Sequence, residues 1–182
     1  MSDGVVALDR QVETDVPAIV AGCSDAETQR WLPLPCPYTP DDGFTWLREH
    51  REEAERGESL DFAIRFAGQT GLVGSIGAHF ARARAGECEI GYWVAPQARG
   101  RGVARRAIAL LAAHVFATWG PRRIEILAHP DNVASRHAAK SAGANFEGIR
   151  ARGLGHRDGT VADAAVYVLL PPGQPDRTTV AS

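Results

Sequence analysis

The sequence has no apolar run long enough to cross a membrane and no excess of charge of either sign. Charged residues make up 23% of the 182 residues, and the formal net charge at pH 7 is −2. A membrane span needs about 20 consecutive apolar residues, and broad nucleic-acid binding needs a surplus of basic residues. With 45% hydrophobic residues, the composition is that of an ordinary globular domain. We therefore expect neither a membrane nor a nucleic acid as partner.

Cysteine is also scarce. The three cysteines, Cys23, Cys36 and Cys88, lie far apart and follow no metal-binding or disulfide spacing. The first residues lack the basic and apolar segments of a secretory signal. We therefore predict a reduced, cytoplasmic setting and no bound metal.

Short alternating apolar runs separated by glycine and proline predict an α/β (α+β) domain over residues 1–170. Residues 171–182 are rich in Pro, Gly and Thr and are predicted to form a disordered tail. Three prolines between Trp31 and Tyr38 exclude regular helix and central strand from that stretch. The predicted elements are strands at 4–10, 60–66, 72–80, 87–94 and 123–128, helices at 14–23, 39–56, 103–118 and after Asn132, and a terminal hairpin within 146–170. The three strands from 60 to 94 should form an antiparallel meander.

A glycine turn at residues 97–104 joins the strand that ends at Val94 to the helix that begins at Val103. Glycine lets the backbone come close to a ligand, and the first N–H groups of a helix attract anions. A P-loop has a longer glycine spacing and ends in Gly-Lys-Ser/Thr, so it is excluded. A dinucleotide fingerprint fits poorly, because Arg105 stands where its third glycine belongs. The turn therefore predicts a different kind of phosphate site.

The segment Gln97 to Gly102 resembles the Q/R-x-x-G-x-G/A coenzyme A loop of the GNAT N-acetyltransferase superfamily. After a strand at 123–128, Asn132, Ser135 and a helix ending at Gly143 resemble the second cofactor segment of that family. The opening residues resemble its RimJ/RimL-type branch, and the resemblance covers residues 4 to 170. It implies acetyl-CoA as co-substrate and the GNAT fold: a mixed, mostly antiparallel sheet of about seven strands with helices on both faces.

The resemblance also implies which residues hold the cofactor. In this family the strand before the loop splays from its neighbour, and its backbone pairs with the pantetheine arm. Here that role falls to Tyr92, Trp93 and Val94, one of whose N–H groups would polarise the thioester carbonyl. The same three residues also fit a buried core strand. Asn132 matches a cofactor-contacting asparagine and also suits a helix start. Further contacts are implied for Gln97, Arg99, Gly100, Arg101, Gly102, Val103, Ala104 and Ser135.

The implied reaction is direct attack of an amine on the thioester in a ternary complex. It needs a base for the amine and a hydrogen-bond donor or acid for the departing thiolate. Ser135 matches a position near the coenzyme A sulfur, and a surface helical serine is the alternative reading. Many other members place a tyrosine one turn further on, but no tyrosine lies between Asn132 and Gly143.

The general base is less directly indicated. Some members of the branch carry an acid just before the final hairpin turn, but here no acid lies between Arg150 and Asp158. We therefore predict Glu89 as the base, because it lies on the strand leading to the glycine turn. An exposed strand carboxylate is the alternative. The other candidates are Glu87, His79, His129 and His156.

The acceptor amine should enter from the side opposite the cofactor, against the N-terminal helices and the last hairpin, with the proline-rich loop offering possible walls. Trp31, Tyr38 and His156 are predicted to contact it, with Phe44 nearby; a small satellite core is the alternative for the aromatic residues. The resemblance points to a peptide or protein N-terminal amine and leaves small amines open. A homodimer is compatible with such a fold. The rival function is a non-catalytic acyl-CoA sensor that kept the cofactor loop and lost its base.

Overall fold

The computed structural model describes residues 1–80 and 86–173. Within these ranges it contains seven strands and five α-helices. Of the predicted disordered tail at 171–182, residues 174–182 lie outside the described residues. None of the helices in the described ranges is both long enough and apolar enough to span a membrane.

The N-terminal half supplies three of the strands and three of the α-helices. The third helix begins with Pro40 at its first position, and Thr39 and Asp42 cap each other's backbone N–H groups, as the sequence predicts. The elements are β1 (Val6–Asp9), α1 (Val16–Cys23), α2 (Ala26–Trp31), α3 (Pro40–Glu55), β2 (Ser59–Phe66) and β3 (Leu72–Phe80).

The C-terminal half completes the sheet. Its elements are β4 (Glu87–Val94), α4 (Val103–Thr118), β5 (Arg123–Ala128), α5 (Val133–Ser141), β6 (Asn145–Gly155) and β7 (Val161–Leu169). The strand order is β1-β2-β3-β4-β5-β7-β6. Strands β4 and β5 run parallel, and all other neighbours are antiparallel. The predicted meander and terminal hairpin are both present.

The central strands carry buried side chains on both faces of the sheet, so helices cover both faces. On one face Ile90 and its even-numbered neighbours in β4 join the main core with α4 and α5. On the other face Trp93 joins a smaller core with α1 and α3. Gly22 of α1 lies directly against the Trp93 ring, which leaves no space for a Cβ atom. Strand β4 is therefore held from both sides.

Helix α2 was not predicted. The sequence indicated one helix ending near Cys23 and irregular chain from Trp31, whereas Trp31 is the last residue of α2. The Asp25 carboxylate caps this helix by accepting a 3.0 Å hydrogen bond from the Thr28 N–H. The helix ends because Pro33 forces the preceding Leu32 into extended backbone.

Candidate active site

A cleft opens where β4 and β5 separate. The two strands pair only at the start of β4, with Glu87 beside Arg123 and Glu89 beside Glu125. Beyond Glu89 they diverge and leave a cleft of about 860 Å³ between them, α2, the start of α4, α5 and the last hairpin. Because β4 keeps its pairing with β3 on the other side, only its β5-facing edge is open to a ligand.

The alternation of the β3–β4 pair determines which backbone groups face the cleft. The Ala95 N–H donates to the Val73 carbonyl over 2.9 Å. Because hydrogen-bonded residues alternate along an antiparallel pair, every second residue of β4, counted back from Ala95, bonds to β3. Trp93 is one of them, and its partner is Ser75. The backbone N–H and C=O groups of Tyr92 and Val94 therefore point the other way, toward the cleft.

The glycine turn closes one end of the cleft. Gly100 and Gly102 have φ angles of +71° and +72°, the left-handed region in which glycine is favoured. No side chain among the described residues caps α4, whose N-cap is Gly102. Val103, Ala104 and Arg105 of its first turn line the cleft. The uncapped N–H groups and the positive end of the helix dipole thus lie at a cationic rim.

The arginines of the turn differ in what they contact. Arg99 lines the cleft, but its guanidinium donates to the Val94 carbonyl, to Asp25 and to the Thr28 hydroxyl. It therefore ties the turn to the start of α2, and its hydrogen bond lowers the pKa of Asp25. Arg101 points elsewhere and stacks over the Phe66 ring at 4.3 Å.

Helix α5 brings Asn132 and Ser135 to the cleft from the β5 side. The Asn132 side-chain oxygen caps the helix by accepting from the Ser135 N–H at 3.0 Å, which is the helix-start role that the sequence allowed. The Ser135 hydroxyl lies 2.9 Å from the Tyr92 hydroxyl. Burial raises the pKa of Tyr92, and the hydrogen bond to Ser135 opposes this only in part. This contact could not be predicted from the sequence, because it joins residues 43 positions apart.

Glu89 lies in the cleft near the point where β4 and β5 separate. Its side chain is exposed to solvent in the cleft, and the surrounding protein groups still desolvate its carboxylate enough to raise its pKa. His79 beside it on β3 and the nearby Arg150 lower the pKa, whereas Glu125 beside it on β5 raises it further. Glu125 is itself buried and held by two arginines, Arg123 and Arg150, each at 2.7 Å.

The part of the cleft between α2, the end of β5 and the last hairpin is lined by aromatic rings. Trp31 lies 5.2 Å from the His129 ring, and His129 lies 6.2 Å from His156, measured between centroids. The Trp31 N–H donates to the Glu27 carboxylate over 2.7 Å. Arg157, next to His156, donates to the Leu34 carbonyl and so connects the last hairpin to the proline-rich loop.

A bulge in β6 shapes the wall of this part of the cleft. Arg150 pairs with Ala164 and Leu154 with Ala162, so the residues between them are displaced from the ladder. Gly153 lines the cleft within this bulge. A Cβ atom at Gly153 would lie 2.8 Å from the Ala164 Cβ, so the bulge requires glycine there.

Most of the predicted site residues meet in this one cleft. Three do not: Gln97 is exposed before the turn, Arg101 lies over Phe66, and Tyr38 is buried among the side chains of the smaller core. The expected contact of Tyr38 with the acceptor is therefore corrected to core packing against α1 and α3, and the exposed Phe44 also lies outside the lining. The predicted residues that line the cleft are Trp31, Glu89, Tyr92, Trp93, Val94, Arg99, Gly100, Gly102, Val103, Ala104, Asn132, Ser135 and His156.

Known proteins place this architecture in a family. The family model of the acetyltransferase (GNAT) domain matches residues 6–145, so the chain belongs to the GNAT acetyltransferase family. An uncharacterized N-acetyltransferase of Bacillus subtilis strain 168, YoaA, is 26% identical to it over 164 residues, which cover 90% of this chain and 92% of YoaA.

Solved structures share the fold. Mycobacterium smegmatis RimJ, in complex with CoA-disulfide, superposes with a TM-score of 0.82 at 26% identity, covering 95% of this chain and 85% of RimJ. RimL, a ribosomal L7/L12 alpha-N-protein acetyltransferase solved with coenzyme A, gives a TM-score of 0.79 at 21% identity, covering 91% and 94% of the two chains. The predicted fold and the resemblance to the RimJ/RimL-type branch are confirmed, and the chain is an acetyl-CoA-dependent N-acetyltransferase.

Proposed function

We propose that this chain acetylates the N-terminal amine of a peptide or protein by direct attack of the amine on acetyl-CoA in a ternary complex. The observation that carries the proposal is the position of β4, which presents its β5-facing backbone edge and Glu89 to one cleft that includes the glycine turn. A single strand thus connects the proposed phosphate site with the proposed base.

The donor end has the groups that coenzyme A requires. The Cβ positions of Gly100 and Gly102 meet no atom within 4 Å, so a phosphate can approach the backbone there. The first turn of α4 supplies uncapped N–H groups, and Arg105 supplies positive charge. The free N–H groups of Tyr92 and Val94 would pair with the pantetheine arm, and one of them would polarise the thioester carbonyl.

Glu89 would take the proton of the incoming amine through a water molecule. A general base works best when its pKa lies near the operating pH, and burial moves the pKa of Glu89 in that direction. The two arginines on Glu125 keep that neighbouring carboxylate paired. Among the described residues, Glu89 makes no such ion pair with an arginine, and it lies in the cleft on β4, where it would be available to accept a proton.

Ser135 would stabilise the departing sulfur. The amine nitrogen bonds to the carbonyl carbon, the carbon–sulfur bond breaks, and its electron pair goes to sulfur. Ser135 lies in the first turn of α5, where both its hydroxyl and the positive end of the helix dipole favour a thiolate. No covalent enzyme intermediate is needed, because the thioester is already activated.

The acceptor end supports a peptide rather than a small amine. The rings of Trp31, His129 and His156 form a row with apolar and polar surface. This surface is large enough to contact parts of an acceptor beyond its amino group. Glu27 adds a carboxylate beside this row, which suits a ligand that arrives as an ammonium ion. The RimL structure, named as an alpha-N-protein acetyltransferase, shares the fold and is consistent with this choice of acceptor.

An acceptor screen tests the proposal. The protein is incubated with acetyl-CoA and a panel of peptides with different N-terminal residues, amino acids and polyamines, and the acetylated products are identified by mass spectrometry. We expect acetylation at the α-amino group of peptides. Acetylation of small amines alone would overturn the choice of acceptor, and tight coenzyme A binding without turnover on any amine would favour the acyl-CoA sensor.

A further inference from the structure

The Tyr92 hydroxyl reaches across the floor of the cleft from β4 to α5. It lies 2.9 Å from the Ser135 hydroxyl oxygen and 3.2 Å from the Ser135 carbonyl oxygen. Both side chains line the cleft. These contacts connect the strand that faces the pantetheine arm to the helix that carries the proposed sulfur contact.

We infer that Tyr92 is a positioning residue whose hydroxyl donates to the Ser135 oxygen and thereby directs the Ser135 hydrogen toward the coenzyme A sulfur. The inference rests on the proposed function, because it assigns a partner to the serine that would stabilise the leaving thiolate. It also gives the Tyr92 side chain a role separate from that of its backbone N–H group.

Either hydroxyl of this pair can donate to the other, and the shorter of the two Tyr92 contacts favours donation by Tyr92 to the Ser135 hydroxyl. Tyr92 has one hydroxyl hydrogen and two neighbouring acceptors. The Ser135 carbonyl is the more distant of the two, lies beyond the usual range for a hydroxyl donor, and already serves the backbone ladder of α5. Donation to the Ser135 hydroxyl oxygen is therefore favoured. The serine hydrogen is then free to turn into the cleft.

Tyr92 is suited to hold its proton rather than to transfer it. Burial raises its pKa, so the phenol stays protonated throughout the neutral range. An ordinary thiol has a pKa of about 8.5 and an ordinary tyrosine about 10, so full proton transfer to the thiolate is unfavourable by more than about tenfold. The thiolate instead accepts a hydrogen bond from Ser135 and takes its proton from water as the product leaves.

The remaining contacts of Ser135 hold it in the same place. Its backbone N–H is bonded to the Asn132 side chain, so the start of α5 is fixed by a cap on one side and by Tyr92 on the other. Ala138, one turn further along α5, is small and packs against the same core as Tyr92. The tyrosine hydroxyl in this cleft thus comes from β4 and not from α5.

The acidity of the bound thiol tests the inference without an acceptor. Coenzyme A is bound to the parent protein, and its thiolate is followed by ultraviolet absorbance against pH, as a difference from the protein without ligand. In the parent, we expect the thiol pKa to lie below that of free coenzyme A, with about a tenfold gain in acidity from the charged hydrogen bond. Tyr92→Phe and Ser135→Ala should each lose most of this gain, and the double variant should lose no more than Ser135→Ala.

Tyr167→Phe is the matched control. The Tyr167 hydroxyl is also bonded to a side chain of α5, accepting from Arg136 at 3.3 Å, but it lies outside the lining of the cleft. This variant should keep the parent thiol pKa. The inference fails if Tyr92→Phe leaves the thiol pKa unchanged, if the parent shows no gain in acidity, or if the two single effects add. Failure of the parent to bind coenzyme A would refute the proposed cofactor site itself.

Discussion

Replacing Gly102 with valine tests the phosphate site most directly, because the structure separates its effect on folding from its effect on binding. Gly102 has a φ of +72°, and no atom lies within 4 Å of its Cβ position. The Cβ atom of valine there would meet no clash in the free protein. The substitution would pay only the backbone cost of the left-handed region, about 1–2 kcal/mol.

Gly68 provides a matched control outside the lining of the cleft. It has a φ of +76° in the turn between β2 and β3, and its Cβ position is equally open. Gly68→Val and Gly102→Val should therefore lose similar stability, which corresponds to about 2–4 °C in Tm for each kcal/mol in a chain of this size.

The two variants should differ in coenzyme A affinity. At Gly102 the valine methyl groups would stand over the first N–H groups of α4, where the pyrophosphate must approach. We expect at least about tenfold weaker binding by isothermal titration calorimetry, which is 1.4 kcal/mol or more, and no change for Gly68→Val. If Gly102→Val retains the parent Kd, or if Gly68→Val loses as much affinity, the role assigned to the turn is wrong.

Three further predictions concern other parts of the chain. Glu89→Gln should lower kcat without weakening coenzyme A binding and should remove the acidic limb from the pH profile of kcat/KM. In the parent this limb should lie above the usual pH range of a glutamate, because the pKa of Glu89 is raised. An unchanged pH profile would exclude Glu89 as the base. Trp31→Ala should raise KM for a peptide acceptor, whereas exposed Phe44→Ala should not. Arg65→Met should lower the free energy of unfolding in urea by about 3–5 kcal/mol, because it leaves the buried Asp15 carboxylate without its bidentate partner; a loss under about 1 kcal/mol would contradict this.

The donor half of the site could be predicted because its signals are local in the sequence. Glycines with a characteristic spacing, placed between a strand and a helix, identify Gly100 and Gly102 without knowledge of tertiary contacts. The period-two pattern of β4 likewise predicts that Tyr92 and Val94 point their backbone groups to the same edge of the strand and their side chains to the same face. Both features depend on residues that are close together in the sequence, so propensity and spacing are sufficient to find them.

The acceptor half could not be predicted because it depends on contacts between distant segments. Helix α2 has only one capping residue and six helical positions, too few for a periodic pattern. The direction of Tyr38 is set by packing against α1 and α3, which a proline-rich sequence does not reveal. Likewise, Arg99 and Arg101 look equivalent in the sequence, yet one ties the turn to α2 and the other stacks on Phe66.

The alternation of β4 would allow one strand to serve both partners of the proposed reaction. Glu89 and Tyr92 are separated by an odd number of positions, so their side chains leave opposite faces of the sheet, about 10 Å apart along the strand. Glu89 lies on the face of α1 and α3, and Tyr92 lies on the face of α4 and α5. In the proposed direct transfer, this separation would place the base on one side of the thioester and the departing thiolate on the other. A one-residue shift in the register of β4 would exchange the two faces, so the pairing of β4 with β3 is as important to the proposed chemistry as either side chain.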